Sequence, residues 1–188
     1  MDDLILDSLQ RRMRAMHSLW EDAMGTRGPE QVNHVERARV LPIAFSLFHF
    51  VHIEDGSASV LGAGPMVYDD AAAERMGLAI ADNGKHRSVD EMVHQRIGDY
   101  EAFRAYAAAV FAKTEDWLAA LDPASLPEVV VAPPYPPQIA STYSARVGGE
   151  RGITRLDATE CWIYQHGLRH MGEIEHARAL VGLGGMTS

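Results

Sequence analysis

Apolar residues along the first two dozen positions recur at steps of three and four: Leu4, Ile5, Leu9, Met13, Met16 and Trp20. That spacing is the period of an amphipathic helix, and it predicts a first helix from Asp2 to about Met24. Gly25, Gly28 and Pro29 then break the pattern in a turn. The segment RARVLPIAFSLFHFVHIEDGSASVLG is so densely apolar that it predicts a second helix, starting near Gln31 or Val35 and buried on nearly all sides. Pro42 either kinks this helix or marks its first turn, because proline has no N–H to donate and its ring collides with the preceding turn.

Residues 62–87 mix breakers (GAGP, DD, DNGK) with one short amphipathic stretch, AAAERMGLAI, and read as a connector. Ser88 and Glu91 have the spacing of a capping box, which predicts that a third helix starts there. Its stripe runs through Met92, Val93, Ile97, Tyr100, Phe103, Ala107, Val110, Phe111, Trp117 and Leu118 and stops at Asp122 and Pro123. Residues 127–152 interleave prolines and glycines with β-branched residues, which suits an ordered excursion holding a short hairpin. Thr154 or Asp157 then caps a fourth helix, running through CWIYQHGLRHMGEIEHARALVG to the terminal glycines. Four long amphipathic helices with two long connections predict an all-α fold. The expected architecture is a four-helix bundle with at least one crossover, in one domain over residues 1–188.

Composition narrows the function. With 47% hydrophobic and 23% charged residues the chain has the balance of a globular protein, and no apolar run approaches the ~20 residues that span a bilayer. The amino terminus lacks the basic-then-apolar order of a secretory signal, so the expectation is a cytoplasmic protein with no membrane partner. A net charge of −9 argues against nucleic acid, whose phosphates require clustered Lys and Arg. Cys161 is the single cysteine, so neither a disulfide nor a thiolate cluster is available. Metal ligation, if any, falls to nitrogen and oxygen. Nine histidines are the source of nitrogen.

His166 and His170 stand four apart on a predicted helix, hence on one face with Cβ atoms roughly 5–6 Å apart, close enough for both imidazoles to reach one divalent ion. Glu173 lies one turn later as a further ligand, an acceptor behind the ligands or a proton acceptor. FHFVHIED places His49, His52 and Glu54 in the most apolar helix. A histidine between Phe48 and Phe50 suits either a satisfied core residue or a ligand. A buried imidazole needs partners for both nitrogens, and a three-histidine site between two helices satisfies that need economically. His49 and His52 compete for the third position, with His52 or Glu54 then behind the site or in its wall. His176 points away and reads as a surface residue. His17, His34, His86 and His94 fall in segments expected to be exposed or peripheral, without a role.

HGLRHMGEIEHARALVG resembles the final-helix signature of the DinB and YfiT-like family: two histidines four apart, then a small residue, an acid, an isoleucine and a closing Leu-x-Gly. HFVHIED is similar to that family's second-helix signature, a histidine with a glutamate five residues later, which selects His49 over His52. The resemblance implies an up-down-down-up bundle holding a zinc- or nickel-type ion on His49, His166 and His170, with positions left for water or substrate. It also implies a homodimer, a small-molecule substrate and, by analogy with the thiol-dependent transferases and isomerases of the family, a low-molecular-weight thiol cosubstrate. Three neutral ligands leave an ion its full charge, which acidifies a thiol or water, with Glu173, Glu54 or His52 placed to take the proton. The alternative is a bundle that binds a metal or small molecule without turnover. No Gly-x-Ser-x-Gly elbow or glycine-rich phosphate loop points to a serine hydrolase or nucleotide enzyme.

Overall fold

The computed structural model describes residues 2–184 and is mostly helical. In chain order it contains α1 (Asp2–Gly25), α2 (Pro29–Val32), α3 (Ile43–Val60), α4 (Asp70–Met76), α5 (Val89–Met92), α6 (Tyr100–Ala120), strand β1 (Val129–Val131), α7 (Pro137–Ala140), α8 (Tyr143–Gly148), strand β2 (Ile153–Thr154), α9 (Arg155–Ala158) and α10 (Gln165–Leu180). A π-helical segment, Thr159–Tyr164, joins α9 to α10, so residues 155–180 run on as one long helix.

The predicted stripe of α1 is the buried one from Leu9 onward: Leu9, Met13, Met16 and Trp20 are in the core, while Leu4 points to solvent at 69% exposure. The second long helix begins later than its apolar density suggests. Pro42 is the cap residue, with an extended backbone, and α3 starts at Ile43. Proline sets the first turn because its missing N–H falls where no helical acceptor exists, and it disfavours helix in the residue before it. Residues 29–32 form their own short helix instead.

The third long helix also differs from expectation. The Ser88 and Glu91 box is real, with the Glu91 carboxylate accepting the Ser88 N–H and hydroxyl at 2.8 Å each, but it caps only Val89–Met92. The chain then leaves the helix and re-enters at Asp99, whose carboxylate accepts the Ala102 N–H at 2.9 Å. Side-chain amides replace the missing helical bonds. Asn33 bonds the Ile97 N–H and C=O at 2.9 and 2.8 Å, and Gln95 does the same for Ile80. Buried backbone groups must find partners, and these two amides make an irregular stretch tolerable inside the fold. A Cβ on Gly98 would sit 3.1 Å from the Gly77 carbonyl, so the two backbones touch there.

Of the two caps the sequence offers, Thr154 opens the last helix, with its hydroxyl accepting the Asp157 N–H at 3.1 Å and the Asp157 carboxylate accepting the Thr154 N–H at 3.0 Å. Only β1 falls within the excursion; it pairs antiparallel with β2 just beyond its end, and α7 and α8 lie between the strands in place of a tight turn. One cluster of buried side chains runs through all four long helical stretches, including Trp20, Phe48, Phe50, Phe103, Phe111, Ile163 and Ile174. α1 packs on α6, and α3 packs on α6, on the π segment and on α10. Fully buried Asp55 fastens the connector: it accepts the Val67 and Tyr68 N–H groups at 3.1 and 2.8 Å and pairs with Lys113. Among the described residues, no helix is long and apolar enough to cross a membrane.

Candidate metal centre

Packing of α3 against α10 sets His49 across from His166 and His170. The ring centroids lie 5.3 Å (49 to 166), 4.9 Å (49 to 170) and 4.5 Å (166 to 170) apart. One nitrogen from each ring lies within 4.8 Å of the others, an arrangement that could hold a metal ion. The two Nε2 atoms of His166 and His170 are 3.0 Å apart. Gly167 makes this closeness to the core possible: a Cβ there would meet Met16 and stand 2.8 Å from the Phe50 ring. The π segment ends at Tyr164, immediately before this turn, and one wide turn is a common way to reset a helix face next to a functional group.

Hydrogen bonds behind the rings fix which nitrogens face inward. His49 Nδ1 donates to the Asn83 carbonyl at 2.5 Å, which leaves its Nε2 lone pair free. His170 Nδ1 donates to Glu173 at 2.6 Å, which frees its Nε2 likewise. Glu173 in turn accepts the Ser46 hydroxyl at 3.2 Å. This is the pattern of metal-binding histidines, each outer N–H engaged by a carbonyl or carboxylate that holds the ring and raises its basicity. His166 Nδ1 is buried without a partner. The donor set, three imidazoles with no thiolate or directly facing carboxylate, suits a borderline transition-metal ion.

The electrostatics favour the neutral, ligating form of His166 and His49. Burial pulls His166 down to about 2, helped by its two neighbouring imidazoles and by Arg169 and Lys85. Burial likewise pulls His49 down to about 4, against the opposing hydrogen bond to Asn83. The hydrogen bond from His170 holds Glu173 below the usual carboxylate range. A neutral imidazole need not lose a proton before binding a cation.

The other sequence candidates fall elsewhere. His52 lies against Phe48 and Tyr68, with its Nδ1 buried and unpartnered, and it makes no ring contact with the three clustered histidines. Glu54 is fully buried, and its ion-pair partner is His17, 3.1 Å away. His17 itself corrects an expectation: it is 2% exposed, not peripheral, stacked on Phe111 and held between Glu54 and Glu115. Its apolar spacing partners, Met13, Met16 and Trp20, were the available signal, since His17 comes four residues after Met13 and three before Trp20. Sequence reasoning also missed Asn83 and Ser46. Asn83 lies in the DNGK turn, and only the turn's return to α3 brings its carbonyl to His49.

No family model and no curated protein matches the chain. Among solved structures, a conserved protein from Enterococcus faecalis superposes with a TM-score of 0.71 at 15% identity, over 93% of this chain and 95% of that one. At that identity the likeness concerns the fold alone.

Proposed function

We propose that this chain is a metal-dependent enzyme of the DinB and YfiT-like kind, an up-down-down-up bundle that activates a thiol or water nucleophile at His49, His166 and His170. One observation carries the reading: three imidazole nitrogens from two helices within 4.8 Å of one another, two of the rings braced from behind. A divalent ion of the zinc or nickel type, held there, supplies Lewis acidity that lowers the proton affinity of a thiol or water. The protein's own part is orientation and proton handling. Asn83 and Glu173 hold two of the rings, and Ser46 holds Glu173. Glu173 is about half exposed, so its carboxylate, although behind His170, can exchange a proton with solvent. Glu54 is occupied by His17 and His52 lies beside Tyr68, which leaves Glu173 the favoured proton acceptor of the three. The favoured chemistry is transfer involving a low-molecular-weight thiol, with hydrolysis as the variant in which water is the nucleophile.

Elemental analysis of protein purified without an affinity tag should find about one divalent ion per chain. His49→Ala, His166→Ala and His170→Ala should each lose it while keeping their helical circular dichroism. Retention of stoichiometric metal by all three variants would refute the site. Metal binding combined with inactivity across a panel of small thiols would move the reading to a bundle that binds a metal or small molecule without turnover.

A further inference from the structure

The chain is acidic overall, at −9, yet cations flank the histidine cluster. Arg169 lies between His166 and His170 in sequence and is exposed. Lys85, also exposed, comes two residues after Asn83 in the turn whose carbonyl holds His49. That turn is pinned: Gly84 is buried with φ +74°, and a Cβ there would stand 2.5 Å from the Phe45 ring. Lys85 therefore leaves the backbone from a fixed point at the edge of the site. Arg169 follows His166 by three residues on α10, so its side chain leaves the helix beside that ring.

Neither cation has a hydrogen-bonding or ion-pairing side-chain partner among the described residues. Neighbouring charges are already engaged: Arg87 holds Asp82, and Glu173 accepts from His170 and Ser46. Arg169 stands one turn before Glu173 and acts on it electrostatically, without pairing. Two unengaged cations beside the histidine cluster give that part of the surface a positive potential, against the sign of the whole molecule. Arginine in particular offers a planar fork that matches carboxylate or phosphate oxygens, and lysine adds a point charge.

We propose that Lys85 and Arg169 form an oxyanion-binding rim, so that the small molecule taken by this centre carries a carboxylate or phosphate near the atom that reaches the histidines. This deepens the metal-site reading and rests on it. The rim selects the ligand by charge, while the histidines select it by donor atom.

Cobalt(II)-loaded protein provides the test, since thiolate binding to cobalt is read as a near-ultraviolet absorption band, independent of turnover. Three thiols of different charge would be titrated: mercaptosuccinate, 2-mercaptoethanol and cysteamine. The wild type should favour mercaptosuccinate over cysteamine, and Lys85→Ala combined with Arg169→Gln should shrink that preference about ten-fold or more, as expected for removing two nearby charges at a partly solvated site. Affinity for neutral 2-mercaptoethanol should barely change, because both side chains are exposed and unpaired. Succinate and inorganic phosphate as competitors tell which oxyanion fits better, and competition by neither overturns the rim. A preference equal in wild type and double variant also overturns it. Failure to take up cobalt is a different result, which removes the metal-site reading itself.

Discussion

His17 is the residue whose environment departs furthest from what its sequence position suggests. Burial alone would push its imidazole toward the neutral form, but Glu54 on α3 and Glu115 on α6 together outweigh burial and raise its proton affinity. The protonated ring donates through Nδ1 to Glu115 at 2.7 Å and forms an ion pair with Glu54, whose carboxylate lies 3.1 Å from Nε2. Removing one member of a buried ion pair strands the other, so His17→Phe should destabilise the fold by about 3–5 kcal/mol in urea unfolding. Combining it with Glu54→Leu should recover most of that loss. Because the folded-state proton affinity is the higher one, the stabilisation is fully present below about pH 6.5, the ordinary histidine value, and is lost as pH rises through the folded value. A wild-type and double-variant pair with identical pH dependence of stability on the alkaline side would contradict this account.

At the scale of elements, the last helix shows how local sequence and packing divide the work. Thr154 and Asp157 start it through bonds that any chain with this pair could make. Its placement depends on Gly167, the only residue small enough to fit against Met16 and Phe50 at that turn. Gly167→Ala should therefore cost about 1–3 kcal/mol, the range for overpacking a filled core, although alanine is the better helix former. The same substitution should weaken metal affinity measured by competition with a chelator, since His166 must move with the helix. A stabilised variant with unchanged affinity would show that the contact is loose. The capping box at 88–91 and a cap at Thr154 or Asp157 were both legible in the sequence, yet the first starts a single turn and the second a helical run that continues to Leu180. The two boxes differ in the fate of the backbone beyond them: Gln95 and Asn33 capture it after the first box, and no local pattern announces that.

For the molecule as a whole, the three histidines tie α3 to α10, two helices separated by more than a hundred residues of chain. An ion that binds only where both helices are in place stabilises the folded state by mass action, by about 2.7 kcal/mol at a hundred times its dissociation constant. Zinc or nickel should raise the melting temperature in a concentration-dependent way, a chelator should reverse the rise, and His49→Ala should abolish it. No shift with saturating ion would mean that the rings do not act as a clamp. Periodicity along the chain determined the helical class, the four long apolar stripes and the pairing of His166 with His170, because helical spacing alone puts residues four apart on one face. The packing of α3 on α10 decided that His49 and not His52 joins them, that Glu54 turns to His17, and that the DNGK turn supplies a carbonyl to the site. Those outcomes depend on which face of one element meets which face of another, a choice made by the fit of Gly167, Phe50 and Met16 across the interface and by no stretch of sequence read alone.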